Sequence, residues 1–465
     1  MDLLVKLLLI SILLSLSYIT YRNFSNPFVR NPISLFGLFI GIVQILNLIY
    51  ANTLFTSNAS FLSLFVLCCS YTLILVGFKF IRLYRFLPLR FAAPPAVYLN
   101  SLSIYIPKPL VQLCTQLENL PSTSILLNVY ALCITLKIFY FAYLLNGFSF
   151  DMGIIFRNVY LDQNNPLDVP NPFHLWSILS LSIGILIPLL LVIVPIQSFS
   201  GHSSNPNYKT LFYWTLLNFL NDFSYGNSYI MFLQIQSIIL ALLLFKRPNP
   251  LTADNHFPQS FLLPFLKLYR KISFLILLLA SVFSLLLLRS IRNKASIIHT
   301  LSSSLSDLAY YYVGNLSTFD LFVQNSLVAS PSPLLSDTCF YAFTAPLYKI
   351  ISHLSGTQPI TYPFSFVIDN IAPFNTTIGL SFFICAFGIF PALALMPFIG
   401  YIFYHFTTFN NSHPTLNQSM RLLFLTETLF FTLRTWTLNG LGVWIFVIYL
   451  FLLLPLFSYI RKSAQ

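Results

Sequence analysis

The feature that most constrains this chain is a succession of about eleven apolar runs, each roughly 17 to 26 residues long. A helix of about 20 apolar residues crosses the hydrocarbon core of a bilayer, and the lack of water there forces the backbone to bond within the helix. The sequence therefore predicts an all-α polytopic membrane protein with about eleven transmembrane helices, within a range of ten to twelve. The runs cover residues 3–20, 33–55, 61–79, 125–145, 175–197, 209–225, 227–245, 272–290, 378–403, 421–437 and 441–459. Residues 91–124 could add an interfacial or re-entrant helix.

The composition supports a membrane protein. Of the 465 residues, 57% are hydrophobic and only 8% are charged, whereas soluble domains carry about 25% charged residues. The 49 Phe and 26 Tyr fit aromatic belts at the two membrane interfaces. In such a protein the net charge of +12 orients loops, so we expect no nucleic-acid partner.

The distribution of Lys and Arg predicts which loops are cytoplasmic. Cytoplasmic loops are enriched in these residues, and with eleven spans the four densest basic segments all fall on one face. These segments hold Arg22 and Arg30; Lys79, Arg82, Arg85 and Arg90; Lys246, Arg247, Lys267, Arg270 and Lys271; and Arg461 with Lys462. The cluster RSIRNK at 289–294 falls on the opposite face as an exception. The same count places the N-terminus outside.

Two long polar segments are then extracytoplasmic, residues 146–174 and 291–377. The second has amphipathic stretches, which predict short helices folded over the bundle. The expected organisation is one integrated membrane domain. It consists of a transmembrane bundle over 1–290 with external loop 146–174, a large periplasmic loop over 291–377, and closing transmembrane helices over 378–465.

Several kinds of chemistry lack their usual motifs. There is no Gly-rich phosphate loop, no HExxH, no paired Cys motif and no GxSxG. The sequence therefore predicts neither nucleotide hydrolysis nor a bound metal or other cofactor. Cys339 stands alone in the longest loop, so no disulfide framework is expected there.

The predicted external face instead carries cations. They are Arg157, Arg289, Arg292, Lys294, Lys349 and Arg434. Arginine donates bidentate hydrogen bonds to phosphate, so this set suits an anionic lipid headgroup. Arg434 is the strongest candidate, because it ends an apolar helix with Glu427 as its only nearby acid.

Structural roles remain open for the other charges. Arg289, Arg292 and Lys349 could simply extend to the headgroups, and Arg157 could pair with Asp151 or Asp162. The intramembrane charges Lys137 and Asp222 could pair with a neighbouring helix.

Local stretches resemble those of a known family. YYYVGNLSTFDLFVQN (310–325) and FYAFTAPLYKIISHLSG (340–356) resemble the large loop of the Wzy-type O-antigen polymerases, the oligosaccharide repeat-unit polymerase family. FNTTIGLSFFICAFGIFPALALMPFIGYIFYHF (374–406) resembles the end of that loop and the next helix, with Asn375, Phe387 and Gly388 matching and Ala386 standing where Asp is usual. DFSYGNSYIMFLQIQS (222–237) resembles a Gly–x–Arg–Ser/Thr helix start, but no Arg follows Gly226, where Asn227 and Ser228 stand. TLRTWTLNG resembles a helix-end motif of the related common-antigen polymerases, which Arg434 matches.

The resemblance implies an architecture and an activity. The architecture is GT-C-like, and the activity is metal-independent polymerisation of undecaprenyl-diphosphate-linked oligosaccharide repeat units. The reaction is implied at the periplasmic face of the bacterial inner membrane, with membrane lipids, a chain-length regulator protein and a flippase as further partners.

Residues are assigned to the reaction as hypotheses. Arg434, Arg289 or Arg292, and Arg157 would stabilise the leaving diphosphate in place of a metal. The sugar hydroxyl needs a proton acceptor, for which Asp307, Asp320, His299 and His353 are candidates. The residues assigned to catalysis are Arg434, Arg289, Arg292, Asp307 and His299. Those assigned to substrate binding are Arg157, Tyr311, Tyr312, Asp320, Lys349, His353 and Asn375.

Three alternative functions compete with polymerisation. An O-antigen ligase shares the architecture and differs in its acceptor. A lipid-linked oligosaccharide flippase or other transporter would have shorter, more uniform loops. A mannosyltransferase using a lipid monophosphate sugar should have acidic residues in its first external loop, and TSNAS has none.

Overall fold

The structure, a computed structural model, is helical throughout the part of the chain that it describes. This part comprises residues 2–54, 59–79, 123–144, 173–199, 208–226, 228–246, 262–294, 296–328, 379–407, 414–433 and 441–463, with the single positions 109 and 112. Its helices are α1 (Asp2–Arg22), α2 (Pro32–Leu54), α3 (Phe61–Lys79), α4 (Thr123–Leu144), α5 (Phe173–Phe199), α6 (Tyr208–Tyr225), α7 (Tyr229–Leu244), α8 (Leu262–Asn293), α9 (Ile297–Val328), α10 (Leu380–Phe387), α11 (Ile389–Thr407), α12 (Leu416–Phe431), α13 (Leu441–Ile448) and α14 (Leu454–Ser463). No strand occurs among these residues.

Six helices in the described residues are long and apolar enough to cross a membrane. They contain Leu3–Arg22, Pro32–Ile49, Phe61–Lys79, Ser182–Phe199, Leu275–Arg292 and Ile389–Thr407. Thr123–Phe139, Tyr229–Leu244 and Gly442–Phe457 are shorter apolar helices. The predicted class, an all-α membrane protein, is confirmed at this level, whereas the number eleven stays a prediction.

One predicted span is interrupted. The run expected over 378–403 forms two helices, because Gly388 has φ of 84°, a left-handed conformation that glycine adopts without a steric cost. The Gly388 N–H ends α10 by donating to Ile384 O at 2.7 Å, and Gly388 O accepts from Ala392 N–H at 3.1 Å in the first turn of α11.

The first part of the segment 291–377 also differs from expectation. Short helices were predicted there, but α9 is one continuous helix of 32 residues, so that prediction is wrong for this stretch. No proline lies between residues 297 and 328, and proline is the residue that most strongly breaks a helix. Residues 314 to 320 are all buried, so packing surrounds α9 there and offsets the low helix propensity of Gly314.

The chain divides into two compact units, residues 1–118 with 306–465, and residues 119–305. In the first unit the most extensive helix pair is α3 with α11. A Cβ built on Gly77 of α3 would overlap the Pro397 carbonyl oxygen, and one on Gly400 of α11 would overlap the Ile74 carbonyl oxygen. The two glycines therefore allow the backbones of α3 and α11 to touch, as small residues do between membrane helices.

The second unit is built from α4 to α8. Helix α6 packs against α4, α5, α7 and α8, and α7 also packs against α5 and α8. Trp214 and Leu211 on α6 and Ile238 on α7 are fully buried between these helices. The centrally packed pair α6 and α7 also carries most of the polar side chains described next.

Candidate functional site

A lysine is completely buried in the second unit. Lys137 on α4 has 0% exposure, and its Nζ donates to the Asn221 backbone oxygen at 3.2 Å and to Asn221 Oδ1 at 2.5 Å. Lys137 also interacts electrostatically with Asp222, the residue that follows Asn221 on α6. An ionisable group inside membrane helices is costly and is tolerated when a partner such as this is present.

A chain of hydrogen bonds continues from Asn221 across three helices. Asn221 Nδ2 donates to the Tyr130 hydroxyl at 3.0 Å, and this hydroxyl donates to Asn218 Oδ1 at 3.1 Å. Asn218 Nδ2 then donates to Gln234 Oε1 on α7 at 2.9 Å. All four side chains are at most 1% exposed, so the chain replaces the water that these groups lack.

The hydrogen-bond chain ends at Gln234 and two hydroxyls. Gln234 Nε2 donates to Thr215 Oγ1 on α6 at 2.7 Å and to Ser281 Oγ on α8 at 3.0 Å. Thr215 and Ser281 in turn donate to the backbone oxygens of Leu211 and Leu277. Four helices are therefore linked by one polar network in which each amide has partners.

The start of α7 lies at the end of α6 near a cation from α8. The Asp222 carboxylate accepts from the N–H groups of Ile230 at 3.1 Å and Met231 at 2.8 Å. Ser228, the residue preceding α7, makes no side-chain cap of its own. Its Oγ instead accepts from Arg289 Nε at 3.4 Å. Arg289, one of the cations predicted from sequence, is therefore held at the first turn of α7.

Two other predicted residues lie farther along the chain from Arg289. Arg292 is half-buried near the end of α8, and His299 is exposed in the first turn of α9. The backbone N–H of His299 donates to Ser296 Oγ at 3.3 Å. The structure thus shows Arg289 bonded to Ser228, whereas the His299 side chain is exposed.

Asp320 is buried in the first unit. Its Oδ1 accepts from the hydroxyls of Ser60 and Ser63, and its Oδ2 accepts from Gln324 Nε2 at 2.8 Å. Ser60 immediately precedes α3, so the carboxylate lies by the N-terminal end of that helix, where a negative charge is favoured. Asp320 was assigned to substrate binding and to proton acceptance. The structure shows that it links α9 to α3.

The sequence stretch that carries the family resemblance contacts the end of α12. Asn315 on α9 is fully buried, and its Nδ2 donates to the Leu433 backbone oxygen at 3.2 Å. Tyr312, also assigned to substrate binding, packs edge-on against Phe39 with ring centroids 5.4 Å apart. Leu433 is the residue directly before Arg434 in the sequence.

An apolar pocket of about 480 Å³, its open mouth included, lies in the same unit. Its lining comes from α2, α3, α10 and α11 and from the end of α12, and only a few hydroxyl groups interrupt the apolar wall. The lining residues are Phe36, Ile40, Leu67, Ser70, Tyr71, Ile74, Gly379, Leu380, Phe383, Met396, Ile399, Leu429, Thr432 and Leu433.

The remaining predicted site residues lie outside the described part. Arg157, Lys349, His353, Asn375 and Arg434 fall in segments that the structure does not describe. Asp307 and Tyr311 belong to α9, but their side chains lie outside the described part as well. Their assignments stay predictions.

Sequence reasoning missed Arg421, which lies in the second turn of α12. Arg421 on α12 donates through Nε to the Leu450 backbone oxygen at 2.8 Å. Leu450 belongs to a π-helical segment, Tyr449–Leu453, between α13 and α14. Such widened turns can leave backbone carbonyls without a partner in their own helix. An arginine at the first position of the apolar run 421–437 was the available signal.

The described residues contain no group of three or more His, Cys, Asp or Glu side chains that could hold a metal ion. Comparison with known proteins found no matching family model, no matching curated protein and no matching solved structure.

Proposed function

We propose that this protein polymerises undecaprenyl-diphosphate-linked oligosaccharide repeat units into an O-antigen-type polysaccharide at the periplasmic face of the bacterial inner membrane. A hydroxyl of the newly arrived unit attacks the anomeric carbon of the growing chain. The glycosidic bond to diphosphate breaks, and undecaprenyl diphosphate leaves with the bonding electrons. The hydroxyl proton passes to a protein base or to solvent.

In this reaction the cations would stabilise the leaving group. Negative charge grows on the diphosphate as the bond breaks, and a donor preorganised toward that charge typically contributes about 2.7–4 kcal/mol to the barrier reduction. Arg434, Arg289 or Arg292, and Arg157 are the proposed donors, because guanidinium matches phosphate in a bidentate geometry.

The observation that carries the proposal is the hydrogen bond from Asn315 to the Leu433 oxygen. It joins the stretch that most resembles the polymerase family to the residue directly before Arg434. Leu433 is thus bonded to the buried polar part of α9, and Arg434 is the next residue in the sequence.

The apolar pocket gives further support. Thr432 and Leu433 form part of its wall, and the next residue in the sequence is Arg434. A lipid-linked donor combines an apolar chain with a charged diphosphate. The apolar wall suits the lipid chain, and the arginine that follows suits the diphosphate.

The test is the polysaccharide ladder of the source bacterium. A deletion strain should retain a single repeat unit, whereas loss of a ligase would leave bare core. Complementation with Arg434→Ala or Arg434→Lys should also yield the single-repeat product at normal membrane expression. The matched control is Arg22→Ala, which removes an exposed guanidinium at the end of α1 and should restore the full ladder.

Two outcomes would contradict the proposal in different ways. A wild-type ladder with Arg434→Ala removes that residue from the mechanism. Inhibition of purified, reconstituted protein by EDTA would show that the reaction needs a metal.

A further inference from the structure

At the first turn of α7, the residue that caps the helix is not the serine that directly precedes it. The first four N–H groups of a helix have no partner within it. A serine directly before the helix commonly accepts from the second or third of these groups. Ser228 occupies that position with φ −138° and ψ 22° but makes no such bond.

Asp222 satisfies the donors that a serine cap would have taken. Its two carboxylate oxygens bind the N–H groups of Ile230 and Met231, the second and third residues of α7. A carboxylate gives stronger hydrogen bonds than a hydroxyl, and its charge is favoured at the N-terminal end of a helix. Asp222 is completely buried, which protects these bonds from water.

This arrangement leaves the Ser228 hydroxyl for another partner. Ser228 is 9% exposed, and its Oγ accepts from Arg289 Nε across the α7–α8 contact. The Nε–H lies in the guanidinium plane, so a bond to it limits rotation of the whole group. A cation is disfavoured beside the N-terminal end of a helix, which makes a specific acceptor there more important for holding Arg289 in place.

We propose that Ser228 is a positioning residue, which fixes the Arg289 guanidinium at the first turn of α7 because Asp222 has taken over the capping role. The proposal deepens the proposed function, since Arg289 is one of the cations assigned to the diphosphate.

The first experiment needs no enzymatic activity. The purified full-length protein, labelled with ¹⁵N at arginine Nε, is placed in lipid nanodiscs, and the Arg289 signal is identified as the one lost in Arg289→Lys. Ser228→Ala should shift the Arg289 Nε signal, and Ser228→Thr should leave it near its original position. The control is Ser224→Ala, whose similarly buried hydroxyl bonds only to the Asn221 backbone oxygen, and which should not move the signal.

Thermal unfolding separates positioning from capping. Asp222→Ala should lower Tm by about 3 °C or more, as loss of a cap does, whereas Ser228→Ala should change Tm no more than Ser224→Ala. An unmoved Arg289 signal in Ser228→Ala overturns the proposal. So does a loss of Tm in Ser228→Ala equal to that in Asp222→Ala, because Ser228 would then be the cap.

The polysaccharide ladder tests the link to function. Ser228→Ala should shorten the polymer, Ser228→Thr should restore it, and adding Ser228→Ala to Arg289→Ala should cause no further loss. If the spectroscopic and thermal results hold but Arg289→Ala leaves the ladder unchanged, Arg289 is removed from the proposed reaction while its positioning by Ser228 stands. If Arg289→Ala abolishes polymer and Ser228→Ala does not shorten it, the positioning role is overturned and the proposed function stands.

Discussion

Lys137 shows how a single charged side chain is accommodated between membrane helices. Its ammonium donates to two oxygen atoms of one residue, Asn221, and the whole side chain is buried. Burying a charge is costly unless it is paired and hydrogen-bonded. The polar atoms of Asn221 are therefore as necessary to the α4–α6 contact as its apolar residues.

This accommodation predicts different effects for two substitutions. Lys137→Ala deletes the stem and the hydrogen bonds and should destabilise the protein by about 2–4 kcal/mol. Lys137→Met keeps the volume but loses the hydrogen bonds and the attraction to Asp222, so it should cost less than Lys137→Ala, about 1–2 kcal/mol. Thermal unfolding in nanodiscs measures both, with the exposed Lys209→Ala on α6 as the control. Equal Tm values for Lys137→Ala and Lys209→Ala would contradict the prediction.

The sequence showed that Lys137 and Asp222 lie within apolar runs, but it did not show what they bind. Their partners depend on which helices pack together and at what rotation, and both are set by long-range contacts. The capping role of Asp222 was especially obscure, because the residue lies six positions before Ser228 and on a different helix. Local capping patterns consider only positions adjacent to a helix start.

At the scale of helices, the α3–α11 pair depends on two glycines. Gly77→Ala should destabilise the protein by about 1–3 kcal/mol, the usual cost of overpacking, because the added methyl would meet the backbone of Pro397. Gly41→Ala is the matched control. The atoms nearest to its new methyl belong to the Leu14 side chain, which can move aside. Thermal unfolding should therefore show the larger loss for Gly77→Ala, and the reverse order would contradict the close-contact interpretation.

The apolar runs predicted most helices within a few residues, since length and hydropathy alone define them. Three features required more than hydropathy. The break between α10 and α11 depends on the positive φ of Gly388. The continuity of α9 depends on packing around residues 314–320. The start of α12 five residues before the predicted run depends on a local cap. Thr415 and Gln418 form that cap by reciprocal side-chain-to-backbone bonds, a pattern that stabilises helix starts.

At the scale of the whole molecule, the predicted topology remains the framework for the external site. With eleven spans, residues 160 and 340 face the periplasm and residues 85, 250 and 465 face the cytoplasm. Fusions to alkaline phosphatase should be active after 160 and 340, and fusions to green fluorescent protein should fluoresce after 85, 250 and 465. Fluorescence after residue 340 would place the segment 291–377 in the cytoplasm and contradict a periplasmic site.

The polar network of the second unit has a fixed direction. An ammonium group can only donate, and a backbone carbonyl can only accept. Because Lys137 stands at one end and the oxygens of Leu211 and Leu277 stand at the other, every amide and hydroxyl between them is oriented in one sense. Turning over any one amide would set donor against donor or acceptor against acceptor at its neighbours, so all the hydrogen bonds that link the four helices run in the same sense, from Lys137 to the backbone oxygens of Leu211 and Leu277.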